Sequence, residues 1–423
     1  MISRRFILSG RRMAVATAMG ALLAAGTVTT PAAATPEGLD RQALQTSLDA
    51  VHKAGMYGMY ANVRDGGRTW RGAAGVADVD TRRPVRPDMV HRVGSITKTF
   101  TAVAILQQVE RGAIELDAPV GRYLPDLVPG ERGQKVTVRM LLNHTSHIAD
   151  YIAPAFPSLL EGSAKSLDDH RFRTIAPEEL VELGLNGVPT GEPGVAPGSY
   201  SNTNYILAGL LLEKVTGTDA EDHITRNVIR KAGLRHTSFP RTPHIPGPHS
   251  KAYESMYGFI DPPRDYSVYN MSWAGTAGAV TSTMDDLNRF YRALLRGELM
   301  GAAQLAEMQK TVVVLAGGGS IDYGLGLYSL DLPCGRFWGH DGGVFGMATQ
   351  SLSSPDGSRQ LSFGVNRTKY QTIDESGHIV LHPIDYATVD HLLLALCGPG
   401  TATAKAATAP FVPFPADRLS VKR

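Results

Sequence analysis

Cysteine is nearly absent, with only Cys334 and Cys397 in 423 residues. This excludes a cysteine-rich zinc site, an iron–sulfur centre and a disulfide scaffold, and leaves room for one bridge at most. Charge of one sign is not in excess either. Lys and Arg number 42 against 40 Asp and Glu, so bulk charge does not mark a nucleic-acid binder. Even the net +2 is carried by the first 34 residues, where Arg4, Arg5, Arg11 and Arg12 meet no acid; the remainder stands at −2 (+2 less 4). Beyond that start no apolar run approaches the roughly 18 residues that span a bilayer. His144, His147, His236, His244 and His249 lack helical metal-ligand spacing, so no metal and no cofactor is expected. There is no internal repeat, and no block of like charge marks a polyanion-binding arm. What remains, 43% apolar and 19% charged, is a globular chain long enough for two or three lobes and a large core.

The first 34 residues have the layout of an export signal: a basic start, an apolar stretch over 13–28, and Ala32-Ala33-Ala34 before the expected cleavage. Ser3-Arg4-Arg5-Phe6-Ile7-Leu8 looks like a twin-arginine signal, so an exported, extracytoplasmic product with no membrane span is expected. An oxidising destination favours a Cys334–Cys397 bridge over two free thiols.

Apolar residues recur at helical spacing over 39–53 and stop at Gly55; residues 56–63 and 69–74 then flank Asp65-Gly66-Gly67 as a β-hairpin. A second β-rich block spans 323–366, with strands over 336–339, 344–351 and 360–366, and a helix over 383–396 closes it. Strands near both ends predict an α+β, αβα sandwich: one antiparallel sheet built from the N- and C-terminal segments, 35–119 and 272–397, with flanking helices. Residues 120–271, rich in helix patterns and in Pro- and Gly-rich loops, form a mostly helical inserted domain. The low-complexity run from residue 398 to 423 reads as a disordered tail.

Ser95 opens an apolar helix that stops at Gly112, and Lys98 lies three residues on, on the same face. Burial there lowers the amine pKa and lets it take the serine proton, while the N-terminal amides and helix dipole favour an anion on an attacked carbonyl. A lone Ser-x-x-Lys is weak, matching also an N-cap followed by a surface lysine. Tyr200-Ser201-Asn202 follows about one hundred residues on, before a second apolar helix. An ammonium nearby favours the phenolate, so Tyr200 can relay a proton to the leaving group while Asn202 orients Lys98 and the substrate amide. The similar Tyr60-Ala61-Asn62 sits in a hairpin strand and reads as structural. His340-Asp341-Gly342-Gly343 lies at a strand edge, where glycine admits a close backbone and His340 supplies a donor or a positive charge. Its rival, Lys231-Ala232-Gly233, reads as a helix end with a glycine cap.

With these elements in this order the chain resembles the penicillin-recognising serine hydrolases, nearest the exported D-alanyl-D-alanine carboxypeptidases and the class C β-lactamases. The likeness runs from about residue 39 to 397 and includes Leu116-Asp117-Ala118-Pro119-Val120-Gly121-Arg122-Tyr123-Leu124-Pro125 and Leu141-Leu142-Asn143-His144-Thr145-Ser146. It implies that Ser95 forms an acyl-enzyme, that Lys98 and Tyr200 manage protons, and that Asn202, His340, Asp341 and Gly342 bind substrate. It also implies an oxyanion hole from the amides of Ser95 and Gly343 and a bridge from Cys334 to Cys397. The expected partners are a peptide or ester substrate containing a D-amino acid, with β-lactams as covalent inhibitors or substrates; nucleic acid is not a partner, and a monomer is expected. The leading activity implied is D-alanyl-D-alanine carboxypeptidase, with esterase, β-lactamase or D-aminopeptidase as the alternative on the same fold and a non-turnover penicillin sensor as the alternative of another class.

Three positions depart from the carboxypeptidase pattern. Asp341 stands where Thr is usual, Tyr328 where an Arg binds the substrate carboxylate, and His147 where Gly follows His-Thr-Ser. An Asp341 facing the cleft would repel a carboxylate ~5 Å away by about 3 kcal/mol at an effective dielectric near 20. Strand alternation that turns Asp341 away from the face of His340 would remove that effect.

Overall fold

The computed structural model describes residues 38–317, 319–375 and 378–399. The expected export signal, and all but the first two residues of the expected tail, lie outside them.

Asp40 caps α1 (Arg41–Lys53) by accepting from the Ala43 amide at 2.9 Å, and Leu44, Leu48 and Val51 recur on one buried face. β1 (Gly58–Asp65) and β2 (Arg68–Gly75) form the hairpin that turns at Gly66 and Gly67. α2 (Thr97–Glu110) and α3 (Thr203–Thr216) are buried over most of their circumference, as their all-round apolar sequences require of helices inside a core. α4 (Met284–Leu295) is instead amphipathic, burying Leu287, Phe290, Tyr291 and Leu294.

One sheet holds nine strands. β3 (Gly198–Ser199) precedes α3, and β4 (Val312–Ala316), β5 (Gly319–Tyr323), β6 (Tyr328–Leu332), β7 (Gly335–Val344), β8 (Met347–Ser353) and β9 (Arg359–Val365) follow α4. Their order is β2-β1-β9-β8-β7-β6-β5-β4-β3. β1 pairs with β9, Met59 opposite Val365, so the two ends of the chain close the sheet between them. α1 and α5 (Pro383–Cys397) cover one face, with Leu48, Met59, Phe363 and Leu392 in the core between. α2, α3 and α4 cover the other, where Phe100, Leu207, Leu211 and Phe290 meet. Each such side chain contributes roughly 1.5–3 kcal/mol when fully buried.

The α+β sandwich is therefore the expected one, with an addition. β3 comes from the 120–271 stretch and joins β4 in parallel, Gly198 opposite Val314. A two-residue strand leaves no periodic signal in sequence. The rest of that stretch carries short helices, among them Gly130–Lys135, Val138–Leu142, Pro177–Asn186 and Ala220–Ile224.

β7 runs five residues past its expected end, through His340-Asp341-Gly342-Gly343. β8 opposes each of them, from His340 against Ser351 to Val344 against Met347, and the completed ladder holds the glycines extended. On its other side β7 pairs with β6 only as far as Gly339. The edge beyond Gly339 is thus left unpaired by β6, and it borders the site described next.

Cys334, in the turn between β6 and β7, is bridged to Cys397 at the end of α5, 63 residues on. Closing a loop of that length stabilises a fold by about 2–4 kcal/mol through the unfolded state. Replacing both cysteines by serine should lower the unfolding free energy by that amount and raise the urea m-value, because the unfolded chain becomes less compact; an unchanged midpoint would show that the bridge carries no stability.

Candidate active site

The geometry of Ser95 is set by two glycines. Strand residues His91–Arg92 pair with Thr281–Ser282, after which the chain turns at Gly94 (φ 52°) into a 3₁₀ turn, Gly94–Ile96, that runs into α2. A Cβ on Gly94 would lie 2.6 Å from the Gly343 nitrogen, and one on Gly342 would lie 2.0 Å from the Val93 oxygen and 2.6 Å from the Ser95 nitrogen. Only glycine at both places lets the β7 backbone lie against the start of the helix. That contact puts Ser95 and Gly343 on the wall of one cleft. The Ser95 amide sits in the first turn, where no intrahelical acceptor exists.

Lys98 is fully buried one turn below. Its Nζ lies 3.0 Å from Ser95 Oγ, 2.7 Å from Asn202 Oδ1 and 2.9 Å from the Ala277 carbonyl. Burial pulls its pKa down to about 7, against a partial upward pull from the Asp150 and Asp341 carboxylates. Once neutral, the amine keeps two N–H groups, matched to Asn202 Oδ1 and the Ala277 carbonyl, and one lone pair for the Ser95 hydroxyl proton.

Asn202 is held from behind by Asp150, which accepts from its side-chain amide at 2.8 Å and from its backbone N–H at 3.1 Å. The other Asp150 oxygen accepts from the Ile152 amide at 2.9 Å. One Asn202 N–H is left for a ligand. Burial raises the Asp150 pKa, opposed by these hydrogen bonds and by Lys98. Asp150 escaped the sequence reading because one carboxylate in a loop carries no spacing signal.

Tyr200 joins the site, but not as a phenolate. Its hydroxyl is buried without a hydrogen-bond partner of ordinary geometry, although Ser95 is close enough to pull its pKa down against the effect of burial. Burial drives its pKa well above that of a free phenol, and Asp341 and Asp150 push it the same way. The amine lies over the ring, 4.9 Å from its centroid, and the raised pKa runs against the expectation of a phenolate. His144 packs against this ring at a tilt of 32°, with centroids 4.1 Å apart. Its Nδ1 accepts from the Ser201 amide and the Asn204 side chain, both at 3.2 Å, so it is neutral and fixed.

Of the third element, His340, Asp341 and Gly342 lie behind the cleft wall rather than on it, a second correction. His340 is fully buried. Its Nδ1 donates to the Asp341 carbonyl, leaving Nε2 to accept from the Tyr323 hydroxyl at 2.8 Å. Burial lowers its pKa to about 3, so the positive charge expected of it is absent and both nitrogens are used within the protein. The Asp341 side chain is sealed from solvent, and alternation directs it away from the His340 ring, although its Oδ1 still lies 3.8 Å from His340 Nδ1. There it stands across from Gln350, which donates to the Tyr328 hydroxyl at 2.6 Å. Tyr328 is also a hydrogen-bond partner of Asp341. The two departures from the carboxypeptidase pattern are therefore one buried cluster, and neither reaches the cleft. Gly342 acts by close packing, and Gly343 is the member of this segment on the wall.

His147, in the glycine position, adopts φ 54°. Its ring offsets that strain by bonding Thr190 Oγ1 at 2.9 Å and the Val195 carbonyl at 2.8 Å. Tyr60 and Asn62 are structural, as expected: the Tyr60 hydroxyl meets His91 and Asn62 donates to Asp285 at 2.9 Å. Lys231 donates to the Leu299 carbonyl at 3.0 Å, with Gly233 left-handed after it.

The cleft has a volume of about 750 Å³. Tyr151, Trp273, Phe345 and Leu315 give it apolar walls around Ser95, and Asp150 and Lys369 are charged groups on its lining. Lys369 is paired with buried Glu254 at 3.1 Å.

A model of the family described as Beta-lactamase matches residues 41–353. A D-stereospecific amidohydrolase from Streptomyces sp. superposes with a TM-score of 0.73 at 37% identity, over 85% of this chain and 99% of that one. The D-amino acid amidase from Ochrobactrum anthropi SV3, complexed with L-phenylalanine amide, gives 0.71 at 25% identity, over 84% and 97%. Penicillin-binding protein 4* of Bacillus subtilis (strain 168) is 28% identical over 350 residues, 78% of this chain and 73% of that protein.

Removing the Asp150 charge as Asp150→Asn should lower kcat/KM roughly tenfold, the ~1.4 kcal/mol between a charged and a neutral hydrogen-bond acceptor behind Asn202. Because Asp150 pulls the Lys98 pKa upward, the acid limb of the pH–rate profile, placed near pH 7 with activity rising as pH rises, should move to lower pH. A limb that stays put or moves up would show that Asp150 does not act on Lys98.

Proposed function

The chain belongs to the beta-lactamase family of serine hydrolases, and we propose that it is a serine amidohydrolase that acylates Ser95 with the acyl part of a D-amino-acid amide or peptide and releases it to water. The observation that carries this reading is the buried Lys98 amine 3.0 Å from Ser95 Oγ, its pKa brought to about 7.

Neutral Lys98 takes the Ser95 hydroxyl proton as Oγ attacks the substrate carbonyl. The oxyanion that forms points to the amides of Ser95 and Gly343, and in a peptide substrate the spare Asn202 N–H holds the oxygen of a second, uncleaved amide. The C–N bond then breaks. The leaving nitrogen takes the proton from Lys98, directly or through the Tyr200 hydroxyl, which gives one proton as it accepts another. Water attacks the ester, Lys98 takes its proton, and the proton returns to Ser95 Oγ as the acid departs. Tyr200 serves this scheme as an uncharged donor, in keeping with its raised pKa. β-Lactams are expected to acylate the same oxygen.

The substrate assignment rests on the likeness to the D-stereospecific amidohydrolase and on the cleft's charges. Where a carboxypeptidase has an arginine for the terminal carboxylate, Tyr328 is buried against Gln350 and Asp341. A neutral amide on the leaving side fits these walls. D-Alanyl-D-alanine carboxypeptidase is the second reading, and Lys369 on the cleft lining favours it. Export through residues 1–34 belongs to the same proposal, supported by a Cys334–Cys397 bridge that persists in oxidising compartments.

Turnover of a carboxyl-amidated D-alanyl peptide, its free acid and its L-isomer separates these readings. The amide should exceed the free acid at least tenfold in kcat/KM, a difference of about 1.4 kcal/mol, the L-isomer should be poorer still, and Ser95→Ala should abolish turnover and labelling by a fluorescent penicillin. A preference for the free acid selects the carboxypeptidase, and turnover that survives Ser95→Ala overturns both.

A further inference from the structure

Away from the cleft, five arginines converge from three separate stretches. Arg289, Arg292 and Arg296 recur at helical spacing along α4 and its C-cap. Arg64 on β1 and Arg71 on β2 belong to the hairpin beside which α4 packs. Arg64, Arg289 and Arg292 line one small hollow with Thr69 and Asp285. Asp285 is the carboxylate of the group, and it is already engaged by Arg71 at 2.6 Å, by Asn62 at 2.9 Å and by Arg289 at 4.0 Å. Among the described residues no ion pair engages Arg64, Arg292 or Arg296; Arg296 reaches only the Asp356 carbonyl, at 3.4 Å.

The positive field is thus only partly compensated within the protein, by the single carboxylate of Asp285. Arg64 Nε is buried with no hydrogen-bond partner, an arrangement that costs free energy unless something else meets it. Burial and the like charges of Arg292, Arg296 and Arg289 lower the Arg64 pKa, with Asp285 pulling the other way. The concentration of cations also runs against the chain as a whole, which stands at −2 beyond its first 34 residues (+2 less 4).

We propose that the hollow formed by Arg64, Arg289 and Arg292 binds a phosphate group, and that the arginine stripe along α4 docks a linear polyanion carrying such groups. Several guanidinium forks around one point suit the three free oxygens of a terminal phosphate better than a planar carboxylate with two, so the hollow takes the end of such a chain and the stripe its internal groups. At 1.5 Å per residue, Arg289 and Arg296 stand about 10 Å apart along the helix, so they meet successive groups of a chain rather than one ion.

Calorimetric titration of the full chain with inorganic polyphosphate tests this, with polyglutamate and phosphatidylglycerol vesicles as the other arms. Polyphosphate should bind, and three contacts should weaken that binding about 20-fold between 50 and 200 mM salt, as for a single-stranded polyanion. Arg64→Gln with Arg292→Gln should weaken it at least tenfold and leave amide turnover at Ser95 unchanged. Arg296→Gln, on an exposed side chain, should weaken it severalfold and serves if the double variant does not fold. Absence of polyphosphate binding at 50 mM salt, equal binding of polyglutamate, binding of vesicles alone, or affinity indifferent to the substitutions would overturn the proposal.

Discussion

The site depends on burying one amine. A lysine at the surface holds its proton at neutral pH and cannot take another. Lys98 sits on a helix that the fold encloses on nearly every side, and desolvation does what no neighbouring cation is needed for: it brings the pKa to about 7. The same burial obliges every donor on the amine to find an acceptor, and the Ser95 oxygen, the Asn202 amide and the Ala277 carbonyl are those acceptors. Desolvation thus both tunes the base and fixes its direction.

The sheet supplies the other half. β7 outruns its β6 partner at Gly339 and continues against β8 alone, so one backbone edge is open to a ligand where the helix carrying Ser95 begins. Gly94 and Gly342 let the two backbones meet at distances no side chain tolerates. His340, Tyr323, Asp341, Gln350 and Tyr328 pack behind that edge with their polar atoms joined to one another. They stiffen the wall rather than touch what binds it. Asp150 plays the corresponding part on the opposite side, holding Asn202 by two hydrogen bonds.

Much of this was legible in sequence because it is local or ordered along the chain. The i, i+3 spacing of Ser95 and Lys98, the apolar helix carrying them, the Tyr200 and Asn202 pair before a second apolar helix, and the hairpin at Gly66 and Gly67 are all short-range patterns. What escaped depends on contacts between distant segments. The protonation of Tyr200 follows from how deeply its oxygen is buried, and the reading from a nearby ammonium had the wrong sign for that reason. That neither His340 nor Asp341 reaches the cleft depends on how β7 lies between β8 and the start of the helix carrying Ser95, which the glycine pair alone leaves open. The five arginines around Arg64 come from three stretches, none of which is a basic block.

The most direct test of the account is the ionisation of Lys98 itself, followed by NMR on the amine with a selectively labelled lysine, in the free enzyme. A midpoint near 7 that disappears in Lys98→Ala is the result this structure requires. A midpoint near 10, as for a solvated lysine, would mean that the amine remains charged at neutral pH and that another group removes the Ser95 proton.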